Sequence, residues 1–144
     1  MTNGMKRLRI ALNHLHAWAY QRSGGRVLGR IGGQPVLLLT TTGARTGRPR
    51  TTPAQFLAHS DRWVIVAAAG GAPKPPAWFH NLLADPAVTV VVGRDRIPAT
   101  ATVAAGATRQ QLWAELIAAN KWLPRVEKKA GRQLPVVVLE RSGG

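Results

Sequence analysis

Apolar positions recur at helical spacing near the start of the chain and then switch to a period of two. From Met5 to Arg22, Leu8, Leu12, Leu15 and Trp18 share one face, while Lys6, Arg7, Arg9, Asn13, His14 and Arg22 fall elsewhere on the wheel, which predicts an amphipathic helix. Ser23-Gly24-Gly25 ends it, and Gly29, Gly32 and Gly33 keep the connection irregular as far as Pro35. Val36–Thr41, apolar and β-branched, predicts a strand, and Gly43–Pro49 a long turn. Arg50–Ala58 predicts a second strand that Pro53 confines to an edge or a bulge, followed by a hairpin turn at His59–Arg62. Trp63–Ala68 predicts a third strand, whereas Gly70–Pro76, with its glycines and prolines around Lys74, predicts neither helix nor strand. Trp78–Leu83 predicts a short helix closed by Asp85-Pro86, and Val88–Val92 a strand with a turn at Gly93–Asp95. Ile97, Ala99, Ala101 and Val103 alternate with polar residues and predict a half-buried strand. Thr108 and Gln111 have the spacing of a capping box, which opens a helix through Leu112, Trp113, Leu116 and Ile117 to about Lys121, with Pro124 ending it. After the basic stretch Arg125–Arg132, Leu134–Leu139 predicts the last strand. Six strands joined by mostly hairpin-length turns predict a small antiparallel barrel with helical decoration. The chain reads as one domain over residues 1–144, with 1–34 as helix and glycine-rich connection and 35–140 as the barrel core.

Composition narrows the chemistry. The chain has 144 residues and no cysteine, which excludes disulfides, thiolate zinc sites and a cysteine nucleophile. No apolar run approaches the roughly 18 residues that a membrane-spanning helix needs. Asn13, His14 and His16 interrupt the segment after the first basic residues, so no secretory core forms and a cytoplasmic location is expected. The formal charge is +14, and 15 of the 20 cations are arginine. This excess calls for an anionic partner, whether nucleic acid, an anionic membrane face or a polyanionic small molecule, and arginine favours bidentate phosphate or carboxylate recognition.

Several reaction classes lack their residues. None of Ser23, Ser60 and Ser142 sits in a Gly-x-Ser-x-Gly turn. The six carboxylates are scattered, leaving no pair for glycoside chemistry. His14 and His16 point in different directions on a helix, His59 falls in a turn and His80 in a helix, so no metal site is expected. Two segments remain. Thr40–Arg50 sets Arg45, Arg48 and Arg50 among Gly43 and Gly47, a strand-loop-strand suited to an anion, against the alternative of a solvated basic hairpin. Ala67–Trp78 has side chains no larger than methyl before a Gly-Gly turn, which leaves room for a flat ring with Trp78 as a wall, against the alternative of tight loop packing with Trp78 in the core.

These segments carry a resemblance. Leu38–Arg50 holds Thr-Gly-x-x-Thr-Gly-x-x-Arg, Val66–Trp78 holds Gly-Gly-x-x-Lys-x-Pro-x-Trp, and Asn81-Leu82 with Asp85-Pro86 follows. In this order they resemble the deazaflavin (coenzyme F420)-dependent nitroreductase family of actinobacteria, over about Pro35–Glu140. The resemblance implies an α+β, mainly β fold: an antiparallel split β-barrel of about six strands with flanking helices, of the FMN-binding split-barrel type. It implies coenzyme F420, ahead of FMN, as cofactor, and hydride transfer from the reduced deazaflavin to a conjugated acceptor such as a quinone or a nitroaromatic. The cofactor phosphate and oligoglutamate tail would meet Ala44, Arg45, Thr46 and Arg50, then Thr51, Thr52, Pro53 and Gln55. Val66, Ala67, Ala68 and Ala69 would face the ring with Ala77, Trp78 and Phe79, and Lys74 would assist. Trp122, Leu123 and Val126 would shape the acceptor pocket. Relatives often carry Ser-Lys where this chain has Ala68-Ala69, and the tyrosines that shape the nitroreductase pocket have no counterpart in Asn120–Val126. No residue stands out as a proton donor, which leaves water.

Other readings stay open at this level. A basic small barrel could bind nucleic acid with Trp63, Trp78, Trp113 and Trp122 as stacking platforms, or the protein could hold F420 without turnover. The first helix either caps the barrel or lies on an anionic membrane face with Leu8, Leu12, Leu15 and Trp18 inward. Monomer and homodimer are both compatible with the sequence.

Overall fold

Consecutive residues of β-strands point to opposite faces, so a strand with unbroken apolar sequence must be covered on both sides. Three runs in this chain meet that condition, and they organise the fold. The computed structural model describes residues 30–31 and 34–142. The helix expected over Met5–Arg22 and most of the connection to Pro35 lie outside the described residues.

The strands are β1 (Arg30–Ile31), β2 (Gln34–Thr42), β3 (Pro49–Gln55), β4 (Leu57–His59), β5 (Arg62–Val66), β6 (Ala87–Val92), β7 (Asp95–Val103) and β8 (Val136–Arg141). A 3-10 turn covers Ala69–Gly71, and the helices are α1 (Ala77–Ala84), α2 (Gly106–Ala119) and α3 (Leu123–Ala130). Every pairing is antiparallel, in the order β1-β2-β6-β7-β8-β5-β4, with β3 also paired to β2. β3 and β4 are one run of chain interrupted only at Phe56, whose N–H donates to Pro35 O at 3.0 Å. One half pairs with β2, next to the β1 end of the order, and the other with β5, so this run links the two sides of the order. Counted as one bent strand, it completes a six-stranded circuit of β3/β4, β2, β6, β7, β8 and β5. This agrees with the six-stranded antiparallel barrel expected from the sequence.

Burial follows the alternation. Trp63 and Ile65 of β5 and Val137 and Leu139 of β8 enter one core cluster with Leu37, Leu39, Val90 and Ile97, the barrel interior. Val64 of β5 and Val136 of β8 enter a second cluster with Leu112, Leu116, Leu123 and Leu134, with Val66 and Val138 packed against it, so α2 and α3 cover this outer face. β7 buries Ile97, Ala99 and Ala101 and exposes Pro98, Thr100 and Thr102, as its alternating pattern predicts. Leu82 and Asn81 of α1 are buried against the barrel.

Several boundaries differ from expectation. Pro53 keeps register opposite Leu38 on a strand paired on one side only, where its missing donor costs no ladder bond, and the irregularity falls at Phe56 instead. Ala69–Gly71 has positive φ throughout and makes a left-handed turn, not a helix, in keeping with the lack of helix expected from Gly70 onward. α2 begins at Gly106 without a side-chain cap, because the chain turns immediately after Ala104 N–H bonds Val136 O, so Thr108 and Gln111 form no capping box. Pro124 does not end a helix but starts one: α2 stops at Ala119, and Pro124 sits in the first turn of α3, where a missing N–H is not needed. The basic stretch after it is therefore helical, with Lys128 and Lys129 in the last turn facing the negative end of the helix dipole. No helix among the described residues is long and apolar enough to cross a membrane.

Leu139 is fully buried in the barrel interior, whereas Leu83 is 56% exposed. Leu139→Ala is expected to cost about 2–5 kcal/mol of stability, and Leu83→Ala less than about 0.5 kcal/mol, in urea unfolding. Equal midpoints for the two variants would contradict the assignment of the core.

Candidate functional site

The β2–β3 connection is a closed loop. Gly43 N–H donates to Arg48 O at 2.8 Å, and Gly47 N–H donates to Gly43 O at 2.8 Å. A Cβ at Gly43 would stand 2.7 Å from Thr46 Oγ1 and 3.1 Å from Arg48 O, so no larger residue fits. Asn81 of α1, itself buried, accepts from Ala44 N–H at 3.0 Å through Oδ1 and donates to Thr41 Oγ1 at 3.1 Å through Nδ2. The loop is thereby fastened to the barrel, with its charges outward. Arg45, Arg48 and Arg50 are exposed, and no carboxylate pairs with them among the described residues.

The other residues expected here already have local work. Ala44 N–H is held by Asn81, Thr46 Oγ1 accepts from Arg48 N–H at 3.2 Å, and Thr51 Oγ1 lies 2.8 Å from Thr40 Oγ1 across the strands. That leaves the guanidiniums of Arg45, Arg48 and Arg50 as the exposed charges of the loop. Arg50 lies opposite Thr41 and three residues before Pro53, a run of roughly 10 Å along β3.

β3 leads from the arginines into a cleft of about 280 Å³. The β5 face and the loop after it contribute Val66, Ala68, Ala69 and Gly70, and the helices contribute Leu116, Ala119, Asn120 and Leu123. Pro53, Gln55 and Phe56 come from the strand bend, and Trp78 from α1. Of the expected residues, the cleft thus gathers Val66, Ala68, Ala69, Trp78, Pro53, Gln55 and Leu123. Trp78 lines the cleft and also packs on the barrel interior.

The others lie elsewhere. Ala67 is 0% exposed, with its N–H donated to Pro135 O at 2.9 Å, so its side chain meets no ligand. Ala77 and Lys74 are exposed outside the cleft lining, and Phe79 packs on the barrel core, edge-on to Trp78 at 6.5 Å. Trp122 is 66% exposed beneath the Arg125 guanidinium, 5.3 Å from the ring centre, and Val126 packs in the helix cluster, so of the expected acceptor residues Leu123 alone lines the cleft. Trp63 is buried and Trp78 and Trp113 are half-buried, which leaves Trp122 as the one mostly exposed stacking platform of the four.

Two residues that the sequence reading gave no role hold the site together. Asn81 fastens the arginine loop. Arg132, after α3, donates to the carbonyls of Ala67, Ala68, Ala72 and Lys74 and so holds the loop that supplies the small-residue wall. Within that loop Ala69 has φ +49, a left-handed conformation that costs a non-glycine residue roughly 1–2 kcal/mol. Asn81 stood in the sequence as part of the Asn81-Leu82 motif and as an asparagine amid the apolar residues of a short helix; nothing in the sequence singles out Arg132 among the arginines.

Comparison with known proteins bears on this site. Residues 12–141 match the family model for the F420H(2)-dependent quinone reductase. The chain is 39% identical over 137 residues to the F420H(2)-dependent quinone reductase Rv1261c of Mycobacterium tuberculosis, covering 92% of this chain and 91% of that protein. Among solved structures it is similar to an F420-H2 dependent reductase, FDR-A, with 34% identity, TM-score 0.68, and 74% of this chain and 94% of that one covered. A second structure, described as a domain-swapped dimer, is 27% identical with TM-score 0.70, covering 95% of this chain and 99% of that one.

Asn81→Leu keeps the side-chain volume but leaves Ala44 N–H and Thr41 Oγ1 without this partner. We expect a stability loss of about 1–3 kcal/mol and faster amide exchange at Ala44, read by NMR. Unchanged exchange there would show that the loop is fastened by other means.

Proposed function

The chain belongs to the F420H(2)-dependent quinone reductase family, and on that premise we propose how its residues carry the activity: the cleft walled by Ala68, Ala69 and Trp78 receives the deazaflavin ring, and Arg45 and Arg50 receive the anionic tail. The protein is an F420-dependent oxidoreductase with a split-barrel fold, as its family and its structural neighbours establish. The observation that carries the site proposal is continuity. One strand, β3, runs from unpaired exposed arginines into an apolar cleft lined by small residues.

The residues present fit this cofactor. A cleft of about 280 Å³ is near the lower bound of small-molecule sites, room for a ring system but not for a phosphodiester and an oligoglutamate chain as well. Those anions must lie outside it, which is where exposed guanidiniums without carboxylate partners stand. When bound, reduced F420 supplies the hydride.

The chain's own contribution is orientation, exclusion of water and charge. Val66, Ala68 and Ala69 offer a wall without bulky side chains, so a planar group can lie against the loop, and Trp78 bounds it. Leu116, Ala119 and Leu123 form the opposite wall, apolar and suited to a quinone-type acceptor. Holding the two reactants between fixed walls converts an encounter into an oriented, effectively unimolecular step. Excluding water strengthens the field of the polar groups at the rim. None of the residues lining the cleft has an acid or base that titrates near neutrality, so the proton needed to complete quinone reduction comes from water.

The basic amphipathic segment Met5–Arg22 brings the protein to the cytoplasmic face of a membrane, where lipophilic quinones concentrate. Deleting residues 1–30 is expected to abolish sedimentation with anionic vesicles and to leave F420 affinity in place. Loss of both together would instead mark the segment as a structural cap on the barrel, and retained sedimentation would assign the contact to another surface.

Equilibrium titration with F420, followed by tryptophan fluorescence, tests the site. A charge-assisted hydrogen bond contributes about 1.5–3 kcal/mol, so Arg45→Ala and Arg50→Ala should each raise the Kd about tenfold or more. FMN, which lacks the oligoglutamate tail, should bind more weakly than F420. If both variants bind F420 as the wild type does, the tail runs elsewhere.

A further inference from the structure

The wall of small residues is shaped by backbone rather than by side chains. Ala69, Gly70 and Gly71 have φ of +49, +65 and +87 in succession, so three consecutive residues lie in the left-handed region and one of them is not glycine. Within the turn, Gly71 N–H donates to Ala68 O at 2.9 Å and Ala72 N–H to Ala69 O at 3.2 Å. The carbonyls on either side turn to one cation. Arg132 Nε donates to Ala72 O at 3.1 Å, Nη1 and Nη2 both donate to Ala67 O at 3.3 Å, and Nη2 also reaches Ala68 O and Lys74 O at 3.2 Å each. Lys129 Nζ adds a longer contact to Gly70 O at 3.4 Å. A Cβ on Gly71 would come within 2.9 Å of the Lys129 side chain, so the turn is seated directly on α3.

We propose that Arg132 is a positioning residue for the cofactor: it holds the left-handed turn at Ala69–Gly71 in place and so presents Ala68, Ala69 and Gly70 to the cleft as a preformed wall. This inference rests on reading the cleft as the deazaflavin site. A planar guanidinium carries five donors in a fixed fork and can span four carbonyls at once. An ammonium at the end of a lysine is a point donor and cannot. The side chains this loop presents to the cleft, Ala68 and Ala69, are only methyl groups, so the shape of that part of the wall depends on where the main chain runs. A loop that relaxes out of the left-handed region would have to be reordered on binding, which lowers affinity.

A control separates positioning from general stability. Arg109 donates to Leu134 O at 2.7 Å and faces Glu127, and so ties α2 to the segment before β8 without touching residues 67–74. Full-length Arg132→Lys and Arg109→Lys are compared for melting temperature, amide exchange and F420 Kd. Arg132→Lys should raise the Kd at least tenfold and speed exchange across residues 68–74, and Arg109→Lys should leave the Kd within twofold at a comparable loss of melting temperature. Arg132→Gln, which keeps a planar donor group but no charge, supplies a second variant if the lysine form does not fold. Equal Kd for wild type and either Arg132 variant, or a Kd increase in Arg109→Lys that tracks its melting temperature, overturns the proposal. Wild-type protein that fails to bind F420 would refute the cofactor assignment instead, and exchange at 68–74 then decides the clamp alone: unchanged exchange in Arg132→Lys refutes it.

Discussion

Closure of the sheet by residues 49–59 is the constraint on which the rest of the molecule depends. A sheet end carries unpaired N–H and C=O groups, and here one run of chain satisfies both ends, pairing β3 with β2 before Phe56 and β4 with β5 after it. The bend that makes this geometrically feasible also opens the cleft, because Pro53, Gln55, Phe56 and Leu57 all line it. The arginine loop enters the same strand from the other side. Barrel closure, the arginine loop and the cleft therefore all meet in one stretch of backbone.

How much of this was legible follows from how far each signal travels along the chain. Strands were readable because their signals are local: Trp63–Ala68 is an unbroken apolar run and Ile97, Ala99 and Ala101 alternate with their neighbours within a few residues, whereas which face of the apolar run meets which cluster is set by the packing. Helix ends were less so. Pro124 is compatible with stopping a helix or with starting one, and only the packing of Leu123 and Ala130 against the outer face of the barrel decides between them. Thr108 and Gln111 have capping-box spacing, but the helix had already begun at Gly106 because β7 delivers the chain there. The arginine loop and the small-residue wall were visible as composition and as motifs. What holds each of them was not, because Asn81 and Arg132 act on main-chain groups 37 and 58 to 65 residues away, and a main-chain carbonyl carries no mark in the sequence.

The large positive charge also takes on a different meaning. Arg132 caps carbonyls, Arg109 bonds Leu134 O and lies 5.0 Å from the centre of the Trp113 ring, and Arg141 lies 5.2 Å from that of Trp63. These guanidiniums do structural work that other proteins assign to neutral donors or aliphatic side chains. The overall excess of charge overstates the cationic surface available to an anion, and the exposed trio at the β2–β3 loop is the part of it from which β3 leads to the cleft.

Both walls of the cleft are mounted on α3. Leu123, at its first residue, belongs to the helical wall, and Lys129 near its last, with Arg132 just beyond, carries the opposing turn. An eight-residue helix spans about 12 Å, so it works as a caliper whose jaws are set by its length and tilt. Descendants of this sequence could change the width of the gap by substitutions along α3 while every residue in contact with the cofactor stays the same. Acceptor range would then diverge in evolution through those residues of α3 that line no part of the cleft.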